Sequence, residues 1–253
     1  MGRIHAIVNQ KGGVGKTTTA VNVAAYMAAS GARILLIDMD PQGNATTGLG
    51  ISKSNLLNTT YRVILGEITA EEAVVNTKIA NLDIMPATLD LAGAELELIA
   101  LISRETCLRN AIKSVVAGYD HIVIDTPPSL GLLTINALVA ADGAIVPMQC
   151  EFYAMEGVGQ LLRTIDLVKQ HLNPELVIRM VVLTMVDNRM RLTQQAAEDI
   201  RRFFGSRVAK TQVPRNVRLS EAPSHGEPIL LYDAGSRGAI AYRSLAEEVL
   251  SLG

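Results

Sequence analysis

Apolar residues gather along this chain in short runs separated by longer stretches of mixed polarity. The runs at 4–8, 34–37, 82–85, 122–124, 144–148 and 177–185 have the length and β-branched content of strands buried on both faces. Between them lie helical stretches. Residues 17–29 are Ala-rich and stop at Gly31, and 89–102, 134–141, 158–171 and 194–204 space their apolar residues three and four apart. Strand and helix alternate throughout, which predicts an α/β fold: a mostly parallel twisted sheet with helices on both faces and right-handed crossovers. Ligands of such sheets sit beyond the carboxyl ends of the strands, so the residues that directly follow strands should carry the chemistry. No fixed-period repeat, low-complexity tract or Pro/Gly-rich linker breaks the pattern, and residues 1–253 read as one domain.

The first strand runs into Asn9-Gln10-Lys11-Gly12-Gly13-Val14-Gly15-Lys16-Thr17-Thr18, which opens a helix. A phosphate-binding loop has Gly, four residues, then Gly-Lys-Ser/Thr; here the first Gly is replaced and Lys11 precedes Gly12. The physics survives that change. Glycines let backbone N–H groups converge on phosphate oxygens, and the helix N-terminus adds partial positive charge. Lys16 is placed to reach the β- and γ-phosphates, and Thr17 offers a hydroxyl to Mg²⁺. The second strand ends in Asp38-Met39-Asp40-Pro41-Gln42-Gly43-Asn44. Carboxylates there are suited to hold Mg²⁺ through water or to orient an attacking water. A later strand gives Asp125-Thr126-Pro127-Pro128-Ser129, an apolar run capped by an Asp that would hold Mg²⁺ through a coordinated water. The two prolines, lacking backbone donors, turn that loop sharply off the sheet.

In this order the three motifs resemble the deviant Walker A P-loop ATPases, relatives of MinD, and most of all the ParA/Soj family that partitions chromosomes and plasmids in bacteria. The resemblance covers nearly the whole chain, including the blocks 146–157 and 214–224. It implies ATP and Mg²⁺ as cofactors, with residues Lys11, Gly12, Gly13, Val14, Gly15, Lys16, Thr17 and Thr18 around the phosphates. It implies a homodimer formed on ATP, in which Lys11 reaches the phosphates held by the other subunit and stabilises transition-state charge. Asp40 matches the residue that positions the hydrolytic water, and Asp38 lies near the metal with Thr17 and Asp125. Met185, Asp187, Pro214 and Asn216 match positions around adenine, and no Asn-Lys-x-Asp guanine signature is present, which favours ATP over GTP. Hydrolysis is expected to be slow without a ParB/Spo0J-type centromere-binding partner, whose basic N-terminal peptide triggers it. Direct attack by water is the economical route, because Ser129 and Cys150 have no adjoining His arrangement and His5, His121, His171 and His225 are scattered.

Charge sharpens the picture. The formal net charge of −2 argues against a generally basic nucleic-acid binder. Its distribution argues otherwise: 187–218 holds eight basic residues against three acidic, and 67–105 two basic against eight acidic. The resemblance assigns Arg189 and Arg218 to sequence-independent contacts with double-stranded DNA, extended by Arg191, Arg201 and Arg202. The acidic stretch suits a basic partner peptide. A MinD-like membrane ATPase is the rival reading, but it needs a basic amphipathic C-terminal helix, whereas 241–250 carries Glu247 and Glu248 on its polar face. An iron-protein relative needs two cluster-bridging cysteines per subunit; Cys107 and Cys150 read instead as buried thiols. No helix-turn-helix precedes the loop at residue 9, as in the shorter, chromosomal partition proteins. With 49% hydrophobic residues, no apolar run near about 18 residues and no signal-peptide pattern, the expectation is a filled aliphatic core and a cytoplasmic, nucleoid-associated protein.

Overall fold

The computed structural model describes residues 2–151, 154–187 and 189–252. Among them, eight strands form one sheet: β1 (Arg3–Ile7), β2 (Ile34–Asp38), β3 (Val75–Asn76), β4 (Leu82–Met85), β5 (His121–Asp125), β6 (Gly143–Gln149), β7 (Val177–Val186) and β8 (Val208–Pro214). Their order is β3-β4-β2-β5-β1-β6-β7-β8, with every neighbouring pair parallel except β3 and β4. The strand period of two divides the apolar residues between two layers. Ile4 and Ala6, Leu35 and Ile37, Ile122 and Ile124 face one layer; Ile7, Ile34, Leu36 and Val123 face the other. Helices Leu91–Ile99, Leu132–Ala140, Ala154–His171 and Arg191–Phe204 cover the first layer, and Lys16–Ala29 and Arg237–Ser251 cover the second.

Two strands went unforeseen. β3 is only two residues long, and β8 is an edge strand whose Lys210, Thr211 and Gln212 interrupt its apolar run. The helix expected over 89–102 is shorter, Leu91–Ile99; the chain then turns through 100–102 to Ser103, which adopts a left-handed φ of 58°. Its buried residues are Leu91, Ala94 and Leu98, whereas Leu89, Leu96, Ile99 and Ile102 face solvent. Cys150 is buried as expected; Cys107 is half-exposed.

Register brings the motifs together. Ile7 stands opposite Asp125, and Asp125 opposite Asp38, so the last residues of β1, β5 and β2 form one row across the sheet. The glycine loop leaves β1 from that row, at the centre of the sheet, with strands added on both sides.

Candidate nucleotide site

The loop after β1 is built by backbone conformation first. Gly13 and Gly15 hold φ of +75° and +88°, which side-chain-bearing residues rarely adopt. Neighbouring strands then tie the loop down. Asn9 donates to the carbonyl of Pro147 at 2.7 Å and accepts from the Lys11 amide, while Thr184 at the end of β7 donates to the carbonyl of Val14 at 2.8 Å. Gly12 packs beside Pro128, so the glycine loop and the Pro-Pro turn after β5 lie against each other. Helix Lys16–Ala29 follows at once, with Lys16, Thr17 and Thr18 in its first turn.

Lys16 is buried, and its Nζ donates to the Lys11 carbonyl at 3.2 Å. Burial lowers its pKa, opposed by the charges of Asp125 and Asp40. The three carboxylates differ in their partners. Asp38 is fully buried; it accepts the Thr46 amide and hydroxyl on one oxygen and the Asp40 amide on the other. Burial nevertheless pushes its pKa up to about 6. Asp40 accepts the Gln42 amide at 2.9 Å, which fixes the turn after β2. Asp125 is fully buried, and neither carboxylate oxygen has a hydrogen-bond partner. Burial and then the Asp38 charge raise its pKa well above the usual carboxylate range, opposed by the nearby Thr17 hydroxyl, which stands close without completing a hydrogen bond, and by the Lys16 charge. Buried carboxylates without partners are strongly disfavoured, so this orphaned acceptor beside Lys16 and Thr17 fits a bound cation.

Beside the loop opens a cavity of about 390 Å³, in the size range of small-molecule sites. Gly15, Thr17 and Thr18 form one wall, and Met185, Pro214 and Asn216 another. Met185 takes a left-handed φ of 51° where the β7–β8 register breaks, which bends the strand at the rim of the cavity. Asn216 caps helix Val217–Glu221 by accepting the Arg218 amide. Asp187, expected near adenine, does not line the cavity; its carboxylate forks the guanidinium of Arg189. Arg189, Arg191 and Arg218 are all exposed. Lys11 is exposed at the front of the loop and ion-paired with Glu151.

Sequence reasoning missed Asn9, Thr46, Thr184 and Glu151. Asn9 adjoins the glycine motif and Thr46 lies eight residues after its partner Asp38, whereas Thr184 and Glu151 are polar residues whose partners are distant in sequence. Of the block 146–157, Phe152 and Tyr153 lie outside the described residues.

The chain matches the family model described as an AAA domain over residues 2–178. It is 54% identical to the sporulation initiation inhibitor protein Soj of Bacillus subtilis, with all of both chains aligned. It is 52% identical to the chromosome partitioning protein ParA of Myxococcus xanthus, over 99% of this chain and 88% of the relative. The chain belongs to the Soj/ParA family. Solved structures carry the same fold as this Soj/ParA chain. Cobyrinic acid a,c-diamide synthase from Mycobacterium smegmatis, solved with ADP and magnesium, superposes with a TM-score of 0.87 at 38% identity, covering 99% of this chain and 94% of that one. The septum site-determining protein MinD of Pyrococcus horikoshii, complexed with Mg-ADP, superposes with a TM-score of 0.80 at 28% identity, covering 100% and 97%.

Proposed function

We propose that residues 1–253 act as one ATPase domain of the partitioning kind. It binds ATP with Mg²⁺, pairs with a second copy across the nucleotides, holds duplex DNA without sequence preference in that state, and leaves it after hydrolysis stimulated by a ParB-type partner. The observation that carries this reading is the unpartnered, buried Asp125 beside the buried Lys16 at the mouth of the glycine loop.

The chain's own groups supply most of the chemistry. Backbone N–H groups from Gly12 to Thr18 surround the phosphates, and Lys16, shielded from bulk water, interacts with them more strongly than a surface lysine would. Thr17 and Asp125 would hold Mg²⁺, with Asp38 behind them; when bound, the ion neutralises charge on the β- and γ-phosphates. Asp40, set by its bond from Gln42, orients the attacking water. Lys11 releases Glu151 to reach a nucleotide on the second copy. Met185, Pro214 and Asn216 receive adenine, and Arg189, Arg191 and Arg218 meet DNA phosphates, which keeps the protein on the nucleoid in the cytoplasm.

The likeness to MinD raises a membrane role, but the packing of the last described helix counts against it. No helix among the described residues is long and apolar enough to cross a membrane. Tyr242, Leu245 and Val249 bury the apolar face of helix Arg237–Ser251 against the protein, and Glu248 accepts the Lys210 and Thr211 amides of β8. That face is not available to a bilayer.

The test pairs ATP turnover with co-sedimentation on non-specific duplex, using ATP, ADP or no nucleotide at low and moderate salt. Salt-sensitive binding that requires ATP and is lost in Arg189→Glu supports the reading. Absence of binding in every state would overturn the DNA role, and absence of Mg²⁺-dependent turnover would overturn the ATPase.

A further inference from the structure

Arg189 and Arg218 have equal weight in the sequence but not in the fold. Arg189 uses Nε and Nη2 to fork Asp187 at 2.9 and 2.7 Å, and its side chain is 89% exposed. A guanidinium has five N–H donors, so the opposite edge of Arg189 still faces solvent with donors to spare. Arg218 is held differently. Its Nη1 donates to Glu221 Oε2 at 2.9 Å, and its Nε lies 3.4 Å from Asp233 Oδ2. Tyr232 donates its hydroxyl to the same Glu221 oxygen at 3.2 Å. One cation therefore faces two carboxylates, and the cluster is net negative. Glu221 and Asp233 are 40% and 36% exposed, so their charge meets any polyanion arriving at this face. Glu221 and Asp233 both lie beyond the basic segment, which is why counting charges over 187–218 does not reveal the cluster.

We propose that Glu221 and Asp233 form a carboxylate cage around Arg218 that restrains DNA binding by this face. The inference rests on the DNA-binding reading above. A backbone phosphate approaching Arg218, whose side chain is 55% exposed, finds Nε and Nη1 already engaged by carboxylates and gains less there than at a guanidinium without that second carboxylate, while it meets a like-charged cluster. The cage is also built on the wall of the nucleotide cavity. Leu219 and Ser220 of helix Val217–Glu221 line that cavity, as does Pro228, which immediately precedes helix Ile229–Tyr232. A ligand in the cavity would therefore touch Ser220, next to Glu221, and Pro228, at the start of the segment that leads to Asp233.

The test measures fluorescence anisotropy of the full chain with a non-specific duplex, with ATP, ADP or no nucleotide, from about 50 to 200 mM salt. Glu221→Gln and Asp233→Asn are each expected to bind several-fold tighter, and the double variant about ten-fold tighter, with a salt slope steeper by about 1. The gain should extend to the sample without nucleotide and vanish when Arg218→Gln is added. Glu221→Asp, which keeps the charge, should show no gain. Unchanged or weaker binding by both single variants, while the unmodified chain binds with ATP and loses binding in Arg189→Glu, overturns the cage and leaves the DNA reading standing. No binding by the unmodified chain in any state sinks both.

Discussion

Asp38 and Asp125 share a side chain, a burial and a row of the sheet, yet their surroundings give them different work. Asp38 spends its oxygens on Thr46 and Asp40, pinning the turn after β2, whereas Asp125 has none of these bonds. Burial and the neighbouring Asp38 charge disfavour the ionised Asp125 carboxylate more than the Lys16 charge and the Thr17 hydroxyl favour it, so the group destabilises the ligand-free protein. Asp125→Asn is therefore expected to raise the thermal midpoint of the ligand-free protein, with a stabilisation of about 1–3 kcal/mol, while lowering ATP turnover by at least about 100-fold. Calorimetry and a phosphate-release assay check the two halves. A variant that loses both stability and turnover would show that Asp125 is a structural partner.

His5 makes a second prediction. It is buried, its Nε2 lies 3.1 Å from His121 Nδ1, and its own Nδ1 has no partner. Burial and then the His121 charge lower its pKa from 6.5 to about 3. The folded state thus keeps His5 neutral where the unfolded chain would protonate it. Below pH about 6.5 the unfolded state binds more protons, so stability falls as pH drops, by about 2 kcal/mol from this group at pH about 5. Denaturant unfolding at a series of pH values reads a net slope to which His121 adds and the raised Asp38 and Asp125 subtract, and His5→Phe should remove about 2 kcal/mol of the loss by pH about 5. Equal slopes in both proteins would remove His5 as the cause.

The glycine loop shows how elements hold a site whose own residues cannot. Its motif was legible in the sequence because glycine, lysine and threonine act through local backbone geometry. Its anchors were not, since Thr184 lies on β7 and Pro147 on β6. Thr184→Val keeps the shape and removes one hydrogen bond to the Val14 carbonyl. Loss of about 1 kcal/mol of loop order should raise the KM for ATP about five- to ten-fold, with the thermal midpoint lowered by only about 2–4 °C. Steady-state kinetics beside a melting curve decides it; an unchanged KM would mean the glycines alone set the loop. The strands show the same limit. β1, β2, β4, β5, β6 and β7 were readable because both faces are apolar, but β8 pairs on one side only and its polar residues suit an edge. The apolar spacing of 89–102 misled for a related reason: part of it points outward, and spacing does not say which face meets the core.

Across the whole molecule, the contact between Lys11 and Glu151 bears on assembly. Both side chains are nearly half-exposed, so water and salt screen the pair and it yields easily. Glu151→Gln frees Lys11 and should shift sedimentation with ATP modestly toward the dimer. Lys11→Ala should keep nucleotide binding while abolishing turnover. A Lys11→Ala protein that hydrolyses ATP at the original rate would remove the lysine from the chemistry.

The sequence by itself determined the α/β alternation, the glycine loop, the three strand-terminal aspartates and the basic stretch. Each is written in contiguous residues and acts through short-range geometry or simple charge count. Only the tertiary structure decided that Asp38 is hydrogen-bonded and Asp125 is not, that Asp187 serves Arg189 and not the cavity, and that Arg218 is flanked by Glu221 and Asp233. These outcomes depend on burial and on which candidate partner, near or far along the chain, the fold brings within reach, and the strength of a charge or a hydrogen bond is set by what surrounds it in space.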